Sequence, residues 1–290
     1  MGPFTELLVM LCTVATVIGI TNNNIYLDGD WASAQWLGQD WVTLIIGMPL
    51  LLVSSWKVIL KRSLVWELVL GGVLFYLVYI YAFFLFEARF TALYFIHLPI
   101  FSVSLLCLFV VFHHLLNAKN DYAYTHRLTL STIIGYFLLI SAFLSWLWLQ
   151  DLVKHLTTVD YFSDTPDGEP PLVMYTLDLD IIVPMMVIAS ILLFKNHTLG
   201  LIMVGVLLVM SFLMSSAFMG MALSIYLQGF DPDSIVIVLW SLIALCGLLL
   251  SIVDLNRLEI YPKPSINYNE MTIVISTLNT YCSIYPITDE

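Results

Sequence analysis

Eight long apolar segments, separated by polar stretches, follow one another along the whole sequence. They cover about residues 5–21, 41–60, 64–86, 92–116, 128–149, 177–194, 199–227 and 235–253. About 20 apolar residues in a helix are enough to cross the hydrocarbon core of a bilayer. Because that layer holds no water to satisfy backbone polar groups, such segments should be helical. The pattern predicts an all-α membrane protein, a bundle of about eight transmembrane helices in contact with the lipid bilayer.

Composition supports the same class. Hydrophobic residues make up 60% of the chain and charged residues 11%, with a mean hydropathy of +0.94, whereas a soluble domain carries about 25% charged residues. We expect one polytopic domain over residues 1–258, followed by a cytoplasmic tail at 259–290. Three of the four cysteines lie inside apolar segments, and none forms a CxxC pair or a zinc-type spacing, so they are interpreted as free thiols.

The basic residues predict an orientation, because cytoplasmic loops are enriched in Lys and Arg. With eight spans both termini lie on one side, and that side receives all the basic residues but Arg89 and Lys154. Both termini are therefore expected in the cytoplasm, and the membrane is expected to be the plasma membrane. The opposite side holds 13 of the 21 acids and carries the entire formal net charge of −11. Such a face concentrates cations, although the shortage of basic residues outside also follows from the topology rule alone.

The most informative stretch is residues 175–184, where Asp178 and Asp180 stand at the mouth of the sixth apolar segment. A charge there is costly unless it finds a partner, water or a proton. On a helix, two residues at this spacing point about 200° apart. Asp178 shares a face with the small Ala189, so we expect Asp178 in the bundle interior and Asp180 at the rim. The competing interpretation is that Asp178 caps the start of its helix.

Three further residues complete a candidate polar or cation site with Asp178 and Asp180. Asp40 occupies a similar place at the start of the second segment, and Glu87 and Arg89 follow the third. Since an unpaired charge at the membrane edge is costly, Arg89 is predicted to pair with Asp40 or Asp178. In the third segment Tyr76, Tyr79 and Phe83 share a face and either line a pathway or serve helix packing.

The sequence lacks the residue patterns that most catalytic, cofactor-binding and metal-binding sites require. A haem needs two axial ligands at matched depth, and His97 is the only histidine well inside a segment. His113, His114, His126 and His197 lie near one surface on three different elements, so no metal site is predicted. There is no hydrolase, zinc-protease, nucleotide or dinucleotide motif, and no basic patch for nucleic acid. No catalytic residue and no cofactor are predicted, and an enzyme is disfavoured.

A weak internal echo links the second and sixth segments. Pro49 and Ser55 have the same spacing as Pro184 and Ser190, within similar apolar octapeptides. The two segments would be equivalent if the chain consisted of two parallel halves of four spans, an arrangement that transporters use. Chance matching of apolar residues is the alternative.

Gly38-Gln39-Asp40 before an apolar run with Pro49, the aromatic stretch Tyr76–Tyr81, and Leu177-Asp178 before Pro184 resemble a broad, functionally uncharacterised family of prokaryotic multi-pass membrane proteins. The resemblance covers segments two to six and implies no activity. Two functions stay open: a transporter or channel-like protein for a cation or small solute with an acidic outer vestibule, or a non-transporting accessory, sensor or envelope-assembly subunit. The second would bind a protein partner through the outer loop 150–176.

Overall fold

The computed structural model describes residues 2–22, 24–61, 63–118, 120–124, 127–158, 171–232 and 234–262. Its long helices are α1 (Gly2–Thr21), α2 (Asp30–Lys61), α3 (Leu64–Phe86), α4 (Tyr94–Asn117), α5 (Arg127–Thr157), α6 (Leu172–Phe194), α7 (Thr198–Leu227) and α8 (Ser234–Arg257). Each contains a stretch that is long and apolar enough to cross a membrane. The predicted helical class and the eight candidate spans are thus confirmed over the described residues.

Two helices form the centre of the bundle. In α3 and α7, 89% and 83% of the most apolar stretch is buried, against 28–33% in the other six helices. Both central helices are apolar on all sides, as expected for helices surrounded by protein. Glycines bring them together, because a Cβ added at Gly72 would lie 2.5 Å from the Cβ of Val209. Small residues at such crossings let two backbones approach closely.

The remaining helices surround this centre in the same way in both halves of the chain. In the first half α3 packs against α2 and α4, and α1 packs against α2 and α4. In the second half α7 packs against α6 and α8, and α5 packs against α6 and α8. Within each half the four helices therefore have equivalent neighbours, and the two halves meet where α7 packs against both α2 and α3.

The equivalence extends to two breaks in regular helix geometry. In α2, α-helical segments Asp30–Val42 and Met48–Lys61 flank a π-helical turn at Thr43–Gly47. In α6, the segments Leu172–Leu177 and Val183–Phe194 flank a π-helical turn at Asp178–Ile182. Pro49 and Pro184 follow the two turns at the same distance. Proline removes a helical donor and crowds the preceding turn, which the wider π geometry relieves.

The serines of the sequence echo also occupy matching positions. Ser55 donates to the carbonyl of Leu51 at 2.7 Å, and Ser190 donates to that of Met186 at 2.8 Å. The octapeptide similarity thus corresponds to the same local geometry in both halves.

A short β-ribbon joins two distant parts of the chain. Strand β1 (Asn120–Tyr124) pairs antiparallel with β2 (Leu258–Pro262), from Asn120 opposite Pro262 to Tyr124 opposite Leu258. The sequence predicted a loop at the first segment and a tail from residue 259 onward. Strand pairing between segments so far apart has no local signal, which explains the difference. We call this side of the bundle the ribbon end, and the side with residues 24–29 and 87–93 the loop end. Farther along the tail, the sequence of Thr272–Ser276 favours a β-strand, and this stretch lies outside the described residues.

Candidate functional site

Asp178 lies inside the bundle and is held by two other helices. Its side chain is 4% exposed. The Tyr79 hydroxyl of α3 donates to Oδ1 at 2.6 Å, and the Trp148 indole N–H of α5 donates to Oδ2 at 2.8 Å. Hydrogen bonds from neutral donors partly replace the water that a carboxyl group loses on burial. The prediction that Asp178 faces the interior is confirmed.

The competing interpretation of Asp178 as a helix cap is wrong. The helix begins at Leu172, so Asp178 lies within continuous helix, at the first residue of the π turn. The hydrogen bonds of its carboxylate come from Tyr79 and Trp148 of other helices, not from the first turn of its own helix. The apolar pattern placed the start near residue 177, because residues 172–176 include polar groups that tertiary contacts accommodate. One such contact is the backbone N–H of Val173, which donates to the Glu87 carboxylate at 2.9 Å.

Asp180 lies on the other side of the same turn and is exposed. This confirms the assignment of Asp180 to the rim. The two residues therefore lie on the opposite faces that regular helix spacing predicts, although a π turn contains both. Only Asp178 can belong to an interior site.

An aromatic lid covers Asp178 on the side of the loop end. The rings of Trp148 and Tyr175 lie 4.7 Å apart at 30° between their planes. The Tyr175 hydroxyl donates to Asp151 Oδ2 at 2.5 Å, which ties α6 to α5 one helical turn further out. In the direction of the ribbon end, the face of α6 continues with Ile182 and Met186, both buried. Asp178 is thus enclosed by aromatic rings on one side and by apolar side chains on the other.

A small cavity adjoins Asp178 between α3, α5, α6, α7 and α8. Its volume is about 30 Å³, enough for about one water molecule. Besides Asp178, its polar lining residues are Tyr79, Ser211 and Ser215. The other lining residues are apolar or aromatic: Ile140, Leu144, Ile182, Met186, Met210, Met214, Phe218, Trp240 and Ile243.

Two hydroxyls of this lining are already hydrogen-bonded elsewhere. The Ser211 hydroxyl lies 2.8 Å from the Tyr136 hydroxyl, which also donates to the carbonyl of Ile243. Ser215 donates to the carbonyl of Ser211 at 2.8 Å. The cavity therefore offers one carboxyl group and a few hydroxyl oxygens with limited remaining capacity.

Asp40 occupies a separate buried site in the first half. It is 2% exposed and accepts a hydrogen bond from the Tyr26 hydroxyl at 2.5 Å. Gly19 of α1 leaves the space for both groups, since a Cβ there would meet Asp40 Oδ2 and the Tyr26 hydroxyl. Burial, together with the nearby charge of Asp40, raises the pKa of Tyr26 above its ordinary value. The Tyr26 hydroxyl therefore keeps its proton to a higher pH than a free tyrosine does.

The predicted site residue Arg89 does not lie at either of the buried acids, Asp40 and Asp178. Arg89 is exposed, its guanidinium donates to the carbonyl of Leu27 at 3.2 Å, and its backbone N–H donates to Asp28. Among the described residues, no ion pair joins it to Asp40 or Asp178. The predicted pairing is wrong because Arg89 follows the end of α3 in an exposed turn, whereas both acids are buried inside helices.

Sequence reasoning missed several buried polar groups. Glu67, 4% exposed, lies 2.7 Å from His114 across α3 and α4. Gln39 and Asp254 are fully buried, and within the described part of the chain their side-chain oxygen and nitrogen atoms have no hydrogen-bond partner. No local pattern in the chain signals the partners of Glu67 or Asp178, because each hydrogen bond joins residues distant in the chain. Within the described ranges, no three His, Cys, Asp or Glu residues cluster as metal ligands would.

Comparison of the chain with protein-family models, curated proteins and solved structures found no match. The class that the fold defines is a multi-pass helical membrane protein. The resemblance to a prokaryotic membrane-protein family stays a prediction.

Proposed function

We propose that this chain is a transporter for a cation or small solute and that Asp178 belongs to its transport pathway. The observation that carries the proposal is the environment of Asp178: a buried carboxyl group inside a candidate span, with donors from α3 and α5 and a cavity beside it. Ionisable groups at such depth are expensive and are functional candidates by default. A site needed only for packing would be served equally by an apolar residue.

The geometry is consistent with a closed intermediate of an alternating-access cycle. The Trp148–Tyr175 lid separates Asp178 from the loop end, and the apolar face of α6 separates it from the ribbon end. The π turn with Pro184 is a break in helix geometry at which α6 can bend. Two halves with equivalent neighbours, as in known transporters, provide the bodies that would rock against one another.

The orientation belongs to the same proposal. We place the ribbon end and both termini in the cytoplasm, and the acid-rich loop end outside the plasma membrane. The support is the distribution of Lys and Arg. In a variant without native cysteines, an impermeant thiol reagent applied to cells should label Ala92→Cys and leave Asn196→Cys unlabelled. The reverse pattern would invert the topology.

The decisive experiment is transport in proteoliposomes. Wild-type protein should carry ion or proton flux above that of protein-free vesicles. Asp178→Asn should abolish this flux, whereas Asp180→Asn, which changes an exposed carboxylate on the same helix, should retain it. Equal flux in the two variants would show that Asp178 lies outside the pathway.

The alternative is a non-transporting subunit that binds a partner through loop 150–176. The tight burial of α3 and α7 and the small volume of the cavity favour it. Residues 159–170 of this loop lie outside the described ranges. In that case wild-type vesicles would show no flux, and crosslinking probes in the loop would capture the same protein in repeated isolations from native membranes.

A further inference from the structure

We infer that the species bound at Asp178 is a proton, carried on Oδ1 and exchanged with a single cavity water, and not a metal cation. The inference rests on the proposed function, since it specifies what the transport site binds. It depends on the donors around the carboxyl group, the volume of the cavity and the chemistry of its lining.

Both carboxyl oxygens already receive hydrogen-bond donors. Tyr79 points its O–H at Oδ1, and Trp148 points its N–H at Oδ2. The positive hydrogen ends of these groups occupy positions around the oxygens that a metal ion would otherwise approach. A hard cation such as Ca²⁺ needs about six to eight oxygen ligands and Mg²⁺ needs six.

The cavity cannot supply those ligands. Its remaining oxygens belong to Tyr79, Ser211 and Ser215, and the two serines are already hydrogen-bonded to Tyr136 and to the α7 backbone. Its volume of about 30 Å³ is that of one water. Methionine sulfurs in the lining are ligands for soft ions such as Cu(I), but a carboxylate is a hard ligand and does not select them.

A proton, in contrast, fits the existing hydrogen bonds with one rearrangement. Tryptophan can only donate, so Oδ2 beside Trp148 must remain an acceptor in both states. A tyrosine hydroxyl can donate or accept. When a protonated cavity water (H3O⁺) delivers its extra proton, one of its O–H bonds breaks and it becomes neutral water, while a new O–H bond forms on Oδ1 and donates to the Tyr79 oxygen. The Tyr79 O–H then turns toward the cavity water. The reverse rotation accompanies release of the proton to that water.

Apart from Asp178, no charged side chain lines the described cavity and could bind the proton in its place. From α3 the titratable group facing Asp178 is Tyr79, and from α6 it is Tyr175, which is hydrogen-bonded to Asp151 of α5 one turn away. The cavity residues of α7 and α8 are uncharged, and no Lys, Arg or His lines the described cavity. Asp180 is exposed on the opposite face of α6. Protonation therefore changes the net charge of an otherwise neutral pocket.

The test is infrared difference spectroscopy of purified protein in lipid nanodiscs, titrated with acid and base. We expect the C=O band of a buried carboxylic acid to appear on acidification, to be absent in Asp178→Asn and to persist in Asp180→Asn. The band should be unchanged by added Na⁺, K⁺, Mg²⁺ or Ag⁺. Tyr79→Phe, which keeps the carboxyl group, should move the band to higher wavenumber, because the acid has lost a hydrogen-bond partner.

The outcomes separate the inference from the transport proposal. A band that Asp178→Asn leaves unchanged, or that any of the four metal ions removes saturably, overturns the inference. A band assigned to Asp178 without flux in proteoliposomes leaves the inference standing and overturns transport. Flux driven by a metal-ion gradient, with no titrating band from Asp178, supports transport and overturns the inference that a proton is bound. If Asp178→Asn does not fold, the band shift in Tyr79→Phe decides, and no shift counts against the inference.

Discussion

The two halves of the molecule share one backbone device and use it differently. Each contains a π turn two residues before a proline, and each turn begins with a polar residue bound to a tyrosine of α3. In the first half Thr43 lies 2.8 Å from the Tyr76 hydroxyl. In the second half the matching residue is Asp178, bound to Tyr79. A neutral pair therefore occupies the place that a carboxyl group takes in the other half.

The position three residues earlier shows the reverse exchange. There the first half has Asp40, which accepts from Tyr26, and the second half has Tyr175, which donates to Asp151. Both halves thus contain a tyrosine–aspartate hydrogen bond near the loop end, but only the second half adds a carboxyl group deeper in the bundle beside a cavity. The two halves therefore share one backbone geometry and differ in the polar group that it holds, a hydroxyl at Thr43 and a carboxyl group at Asp178.

The largest effect is expected where the first half approaches α7. A Cβ at Gly38 would lie 2.3 Å from the carbonyl oxygen of Gly220, so Gly38→Ala must separate two backbones. We expect a loss of about 3 kcal/mol or more in the free energy of unfolding, measured by thermal stability in detergent. Gly135→Ala in α5 is the control, because a Cβ there meets nothing within 4 Å. Equal stability of both variants would disprove the close crossing.

Removing one tyrosine hydroxyl from each half should distinguish the carboxylate site at Asp178 from the neutral site at Thr43 by the loss in free energy of unfolding. Tyr79→Phe deprives the Asp178 carboxylate of a donor and should cost about 1.5–3 kcal/mol, whereas Tyr76→Phe should cost about 0.5–1.5 kcal/mol. Denaturation of both variants under the same conditions measures the difference. If Tyr76→Phe proves at least as damaging, the proposed contrast between the halves fails.

The Tyr26–Asp40 bond predicts an alkaline dependence in the first half. Because the pKa of Tyr26 is raised in the folded state, its contribution is fully present below the ordinary tyrosine pKa of about 10. Above that pH it declines, by up to about 1.4 kcal/mol per pH unit, since only the unfolded state loses the proton. Tyr26→Phe should flatten the stability profile above pH ~10. The matched control is Tyr226→Phe, whose ring is exposed; the same flattening in that variant would contradict the assignment.

The smallest effect concerns the serines that the halves share. Ser55→Ala and Ser190→Ala each remove a hydroxyl that donates to a carbonyl four residues earlier. Such bonds contribute little to a helix that is already formed. Both substitutions should change stability by less than about 0.5 kcal/mol and by equal amounts. A large difference in melting temperature between them would show that the two positions are not equivalent.

The sequence predicted only part of the candidate site. The helical spacing of Asp178 and Asp180 correctly assigned one acid to the interior and one to the rim, because the two faces of a helix follow from its period. The same reasoning gave wrong partners. Trp148 and Tyr79 reach Asp178 from helices distant in sequence, and the exposed position of Arg89 depends on how the chain leaves α3.

The sequence by itself determined the class of this protein and its eight candidate spans, because apolar length and the absence of water in a bilayer leave helices as the solution. It also indicated the echo between the second and sixth spans, since proline acts locally on its own helix. The tertiary structure alone decided the central pair α3 and α7, the β-ribbon, the aromatic lid and the cavity. These features join residues far apart in the chain, and side-chain packing between helices, not local propensity, selects them.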